Sequence, residues 1–293
     1  MTAAEVFTEY RPLLFTVAYE ILGSATDAED VLQDSYIRWS EVDPSTVDNP
    51  RGYLAQIVTR QSLNQLRTAQ RRREDYVGSW LPEPIRTDAA GDAAKDALLA
   101  ESVSMAMLLV LETLTPDERV VFVLHEVFGF SHREVAEAVG RSEVAVRQTA
   151  HRARSHVQAR RKRFEPSSAA AQEVAGSFLS AAVTGDIQAL MDLLAPDVVE
   201  ISDGGGKVSA ALRPVVGREK VARFMAGLIR IGPPDLRFEV GEFNGLPSVL
   251  VYSGDVLDLV ALIEVTDGLV SGVYLVRNPD KLAAAARSRE LTR

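Results

Sequence analysis

The chain has 293 residues, a formal charge of -9 and 46% hydrophobic residues, enough to build more than one packed core. It has no cysteine, which excludes disulfides, thiolate metal sites and cysteine nucleophiles; no metal or cofactor is expected. No apolar run reaches the roughly 20 residues that span a bilayer, and MTAAEVFTEYRPLL lacks a secretory pattern, so a cytoplasmic protein with no membrane partner is expected.

Residues 1–70 read as helical. Asp27, Glu29 and Asp30 put acids in a first turn, where the helix dipole favours them. Val31, Leu32, Ser35, Tyr36 and Trp39 then recur as a buried stripe, with Asp30, Gln33, Asp34 and Arg38 opposite, as plain surface or as a docking face. After the polar loop 43–49, Asn49-Pro50 opens a helix to about Arg72. Arg60, Asn64, Arg67 and Arg71 form one stripe on it, able to track phosphates.

Residues 74–100 carry prolines and an Asp/Ala-rich stretch and read as a linker with a rigid start. Trp80 and Leu81 are large apolar groups that favour a contact over a free linker, so they are expected to dock. Residues 101–163 return to helix. Thr115-Pro116-Asp117-Glu118 joins an N-cap, a first-position proline and a capping-box acid, opening a helix through Val120, Val121, Val123 and Leu124.

Residues 131–157, SHREVAEAVGRSEVAVRQTAHRARSHV, spell a helix-turn-helix that ends in a basic helix. Ser131 and Glu134 make a capping box, Val135, Ala136 and Val139 the buried face, and Gly140 the stop. Ser142 caps a second helix, with Val144, Ala145, Thr149 and Val157 expected inside and Arg147, His151, Arg152 and Arg154 outside. From Arg141 to Arg163 the only acid is Glu143. This stripe and Arg67, Arg71, Arg72 and Arg73 stand out on an acidic body, which suggests weak unaided DNA binding and a partner that supplies the rest.

Residues 165–293 change character. Ala169–Val183, Ile187–Leu194 and Gly217–Ile231 read as helices, followed by strands at Leu236–Phe243, Ser248–Ser253, Val256–Val265 and Leu269–Val276. Helices and then a meander make an α+β domain. No internal repeat is visible.

AEDVLQDSYIRW, NPRGYLAQIVTRQSLNQLR and the stretch from Leu114 to Arg154 together resemble the extracytoplasmic-function sigma factors. The last segment resembles a SnoaL-like domain of the NTF2-like cone fold. WLPEP (Trp80, Leu81, Pro82, Glu83, Pro84), DGGGK (Asp203, Gly204, Gly205, Gly206, Lys207) and NPDKL (Asn278, Pro279, Asp280, Lys281, Leu282) are similar to signatures of the SigJ-type group. The resemblance implies two all-α sigma domains plus an α+β cone: region 2 at 1–73, a linker at 74–100, region 4 at 101–164 and a SnoaL-like domain at 165–293.

The implied partners are core RNA polymerase (clamp and flap regions), promoter DNA and the chain's own C-terminal domain in cis, with the protein a monomer. Asp30, Gln33, Asp34 and Arg38 would bind core, and the loop Val42–Asn49 would take a flipped -10 base. Arg60, Asn64 and Arg67 would hold the opened strand. In region 4, Arg147, Gln148, His151 and Arg152 would read -35 bases, with Arg141, Ser142 and Arg154 on phosphates. The linker would keep these two readers apart.

The three motifs around Trp80, Asp203 and Asn278 would carry regulation in place of a separate anti-sigma protein. Gly204–Gly206 beside Lys207 would alternatively bind an anion, though this is not a Walker loop. No catalytic residue is assigned. Glu200, Asp203, Asp255 and Asp258 stay open as acid–base groups of a residual enzyme, and a one-component regulator with a ligand-sensing domain is the other alternative.

Arg147→Ala should relax -35 sequence preference in a binding selection; equal weakening on all sequences would instead make Arg147 a phosphate contact.

Overall fold

The computed structural model describes residues 2–87, 97–160, 168–231, 235–285 and 291–292. The side chains of Arg71, Arg72 and Arg73, and residues Arg161, Lys162 and Arg163, lie outside what is described. The chain forms two compact units: Met1–Glu74 with Ala90–Lys162 and Arg289–Arg293, and Asp75–Ala89 with Arg163–Ser288.

In the first unit, α1 (Ala3–Leu22) opens on a Thr2–Glu5 capping box and stops at Gly23 in the left-handed region. Helices α2 (Ala25–Ser40) and α3 (Pro50–Glu74) pack on it, and the buried Trp39 indole N–H donates to Ala3 O at 2.7 Å. Asn49 caps α3 by accepting from Gly52 N at 3.0 Å. Tyr36 departs from the expected buried stripe. It is 38% exposed, with its ring edge-on to Phe7.

Four more helices follow before the basic one: α4 (Ala97–Ser102), α5 (Met105–Glu112), α6 (Pro116–Phe122, running into a π turn at Val123–Val127) and α7 (His132–Val139). The basic helix is α8 (Glu143–Arg160). Capping boxes stand at Thr115–Glu118 and Ser131–Glu134, and Gly140 closes α7 at φ 67°. The buried faces are phased differently from the sequence expectation. Ala138 replaces Val139 inside α7, and α8 buries Val146, Ala150, Ala153 and Val157. Val144 is 65% exposed. Two residues before Val146 it lies about 200° around the helix, so burying one exposes the other.

The segments expected as separate domains on a flexible linker, 1–73 and 101–164, instead share this unit as far as Lys162. A buried polar node joins them. The Ser102 hydroxyl donates to Glu20 Oε1 at 2.6 Å, Arg119 Nε donates to the Glu20 carbonyl at 3.0 Å, and Arg119 pairs with Glu112. Burial pushes the Glu20 carboxyl up to about 8, against the smaller opposing pulls of Ser102 and Arg119.

In the second unit, α9 (Ala169–Thr184), α10 (Ile187–Leu193) and α11 (Arg218–Ile231) pack on a sheet of order β2-β1-β6-β5-β4-β3. The strands are β1 (Leu194–Asp203), β2 (Val215–Val216), β3 (Leu236–Phe243), β4 (Leu246–Ser253), β5 (Val256–Thr266) and β6 (Leu269–Val276), and α12 (Pro279–Ala285) follows them. The meander turns on Asn244-Gly245 and Asp267-Gly268, with all four residues at positive φ, as tight hairpin turns require. β1 and β2 lie outside the expected meander. Pro196-Asp197 and the acids at Glu200 and Asp203 hide β1, which pairs in parallel with β6. Phe178, Val198, Val221, Val251, Ile263 and Val273 anchor the core between helices and sheet.

The first part of the supposed linker, residues 75–87, is part of this unit, while 97–100 open α4 of the first. Leu81 and Ile85 are fully buried, and Arg86 bridges Phe243 on the edge of β3. Thr87 N donates to Glu242 O at 2.8 Å and Asn244 N to Ile85 O at 2.9 Å. Residues 75–87 therefore form a strap. It is held because edge strand β3 offers it unpaired backbone groups.

Glu20 generates a stability prediction for the first unit. Its folded pKa lies above its unfolded value, so its contribution is full below about pH 4.5 and is lost as pH rises through about 8. Glu20→Gln should melt like the parent at pH 5 and above it at pH 8; parallel pH profiles would contradict this.

Candidate nucleic-acid interface

Helix α8 presents Arg147, Gln148, His151, Arg152 and Arg154 to solvent, and Ser142 caps it through Ala145 N at 3.2 Å. Three of its arginines are already matched by acids. Arg147 pairs with Glu143 and Arg152 with Glu118 at 3.5 Å, while Arg154 makes two bonds to Glu126, at 2.6 and 3.1 Å. The Glu126 bonds hold the Arg154 guanidinium above its ordinary pKa. Arg141 Nη2 lies 3.1 Å from Asp117.

The stripe on α3 meets the same elements. Arg60 donates to the last carbonyls of α7, to Ala138 O at 3.1 Å and Glu137 O at 2.8 Å, beside Gln56 at 2.9 Å from Glu137 O. A helix C-terminus is electronegative, so a guanidinium is well placed there. Arg67 reaches Asp117 at 2.8 Å, and the Arg51 guanidinium stacks over Phe130 at 4.7 Å. Asn64 is exposed on the same side. Asp117 thus takes one arginine from α3 and one from the turn before α8. Sequence reasoning saw Asp117 only as a helix-start acid, and no local pattern marks such a bridge. On α2, Asp30, Gln33, Asp34 and Arg38 are all exposed, and Ile37, which no polar pattern marks, sits among them 54% exposed.

The motifs around Trp80, Asp203 and Asn278 meet at one carboxylate in the second unit. Asp203, at the end of β1 and fully buried, accepts from Tyr76 OH at 2.6 Å, Leu81 N at 2.8 Å, Gly205 N at 3.0 Å and Lys281 Nζ at 2.6 Å. Lys281 also donates to Leu81 O and lies 4.2 Å from the centre of the Trp80 ring. Burial, with the Asp203 carboxylate beside it, pushes the Tyr76 phenol up. Asn278 donates to Tyr76 OH at 2.9 Å and caps α12 through Asp280 N at 3.1 Å.

The glycines are required by contact. A Cβ on Gly204 would sit 2.4 Å from Val208 O, and one on Gly205 would sit 2.3 Å from Asn278 Nδ2. Lys207 pairs with Asp280 at 2.5 Å, and Gly205 N is spent on Asp203, so the loop is built as a clasp. Pro82, Glu83, Pro84 and Leu282 are buried in the same unit, and Pro279 opens α12.

The other acids are placed differently. Asp258 pairs with Arg277 at 2.7 Å and Asp255 lies in a hairpin turn. Glu200 is buried on the helix-facing side of the sheet, takes the Ser202 hydroxyl, and is pushed up to about 7 by burial.

Comparison with known proteins assigns these parts. Family models match for Sigma-70 region 2 over residues 6–72, Sigma-70 region 4 over 104–157 and a SnoaL-like domain over 175–271. The chain is 38% identical over 291 residues to the ECF RNA polymerase sigma factor SigJ of Mycobacterium tuberculosis (strain ATCC 25618 / H37Rv), covering 95% of this chain and 93% of the relative. The chain belongs to the extracytoplasmic-function sigma factors. The crystal structure of Mycobacterium tuberculosis SigJ superposes with a TM-score of 0.76 at 35% identity, covering 97% of this sigma factor and 99% of that chain. The probable sigma factor SigI of Mycobacterium tuberculosis (strain CDC 1551 / Oshkosh) is 28% identical over 283 residues, 93% of this chain and 92% of its own.

As a sigma factor, the chain directs RNA polymerase to promoters. Its helical sigma domains are followed by a sheet-containing NTF2-like domain. Among the described residues no helix is long and apolar enough to cross a membrane.

Removing one partner of a buried ion pair costs about 3–5 kcal/mol. Asp203→Ala should therefore lower the melting point of the second unit and red-shift Trp80 emission as the strap lifts; unchanged emission would mean that the strap holds without the carboxylate.

Proposed function

We propose that this sigma factor rests with region 2 and region 4 folded together, and that its DNA-reading groups are satisfied internally until promoter engagement. The observation that carries this reading is the pairing of Arg60 and Arg67 with groups of region 4. Residues expected on the opened -10 strand are occupied by the domain expected on the -35 element. Half-sites one helical turn apart are already about 34–36 Å distant. The -10 and -35 elements lie farther apart than that, so the two readers must separate on DNA.

In the open state, Asp30, Gln33, Asp34 and Arg38 on α2, with Ile37 among them, dock on core polymerase in the cytoplasm. Arg60, Asn64 and Arg67 hold the opened -10 strand, and the loop Val42–Asn49 receives a flipped base, whose extrusion costs a few kcal/mol. Helix α8 enters the -35 major groove. Arg147, Gln148, His151 and Arg152 read bases, and Arg141, Ser142 and Arg154 hold phosphates.

The C-terminal domain acts in cis through the strap. Residues 75–87 lie in the chain between the two readers, and the clasp at Asp203, Lys281 and Asn278 sets how much of that connection is free to extend. Docked, the strap shortens the reach; released, it lengthens it. This work is binding, and it occupies two of the domain's acids: Asp203 is saturated by donors and Asp258 is held in an ion pair.

The test is transcription from a randomised promoter library by core polymerase with the full-length protein and with Asp117→Asn. Promoter-specific transcripts that need the protein are expected. Two exposed ion pairs of about 0.2–1 kcal/mol each imply a severalfold higher output from the variant at limiting protein. Tight promoter binding without core and no transcripts would favour a one-component regulator instead.

A further inference from the structure

Helix α8 has an inside and an outside fixed by its buried residues, Val146, Ala150, Ala153 and Val157. At about 100° per residue, the crest opposite them carries Val144, Gln148, His151 and Ser155, all within about 40° of Val144. All four are exposed, Val144 by 65%. Arg147 and Arg154 lie about 60–80° to one side of that crest, and Arg152 about 80° to the other. The flanking arginines are held by carboxylates of Glu143, Glu126 and Glu118.

This division has a direct meaning in a major groove. The crest of an inserted helix faces the base edges directly, while long side chains on its flanks reach either the outer base edges or the phosphate walls. Val144 lies on the first turn of α8, the end of a recognition helix that approaches bases most closely. A branched aliphatic group there offers no hydrogen bond. The 5-methyl of thymine is the apolar feature of the major-groove edge that it fits.

We propose that Val144 is a specificity residue that selects thymine, through its 5-methyl group, at one position of the -35 element. The proposal rests on the reading of α8 as the -35 helix. Within that reading it assigns to an apolar side chain a role that the arginines and Gln148 do not cover.

The experiment selects -35 sequences from randomised duplexes with full-length protein and core polymerase, comparing the parent, Val144→Ser, Val144→Ile and Arg147→Ala. A thymine enriched with the parent and with Val144→Ile, and lost with Val144→Ser, is expected. Replacing that thymine by deoxyuridine removes only the methyl group. It should weaken the parent about fourfold, the scale of burying one methyl, and leave Val144→Ser unchanged.

The same thymine enriched with Val144→Ser, or an equal response of both proteins to deoxyuridine, would overturn the proposal. If Arg147→Ala shifts the selected element while Val144→Ser does not, the methyl contact fails and α8 remains the reader. If no α8 variant changes the selection, both fail together.

Discussion

The fully buried carboxylate of Asp203 is the point on which the C-terminal half depends. An ionised carboxyl away from water is penalised by several kcal/mol unless charge and hydrogen bonds replace the solvent. Here the replacements come from three separate stretches of chain: Tyr76 and Leu81 in the strap, Gly205 in the loop after β1, and Lys281 in α12. None of the three motifs is satisfied without the other two. The requirement for glycine at 204 and 205, the cap made by Asn278 and the cation seated against Trp80 all follow from enclosing that one charge.

The N-terminal half solves a different electrostatic problem. A DNA-binding surface carries cations that repel one another when no DNA is present. In this chain the arginines proposed for that role on α3, α8 and the turn before α8 are paired with Asp117, Glu118, Glu126, Glu143 and the carbonyl end of α7. The pairs are exposed and individually weak, so salt and phosphate compete with them on similar terms. The buried node of Glu20, Ser102 and Arg119 is the less yielding part of the contact between regions 2 and 4. The acidic balance of the whole chain is thus compatible with the proposed nucleic-acid work, in which some of these acids would give way to phosphate.

Much of this was legible in the residues. Capping boxes at Thr115 and Ser131, the stop at Gly140 and the hairpins at Asn244 and Asp267 are local signals, and local geometry obeys them. The stretches around Trp80, Asp203 and Asn278 were identifiable as motifs. Three things were not legible. Strand β1 carries Pro196 and buried acids, and its pairing with β6 is a long-range fact that alternation cannot reveal. The phase of α8 is open in the sequence because Val144 and Val146 are equally apolar, and only packing chooses between them. The bridge through Asp117 joins residues fifty positions apart, and an acid at a helix start has an adequate local explanation already.

The strap also gives the polypeptide an order of assembly. Leu81 and Lys281 are separated by 200 positions, and β3, whose edge the strap joins, lies over a hundred and fifty positions beyond it. At about 5–20 residues per second on the ribosome, region 2 emerges long before the strap's bed exists. Region 4 is made in the interval, while the chain between the two readers is still unanchored. Docking of the strap therefore waits for the last strand and α12, so a nascent or prematurely terminated chain carries both promoter-reading domains without the clasp. Under the proposed regulation in cis, synthesis of α12 is the first event that places them under control.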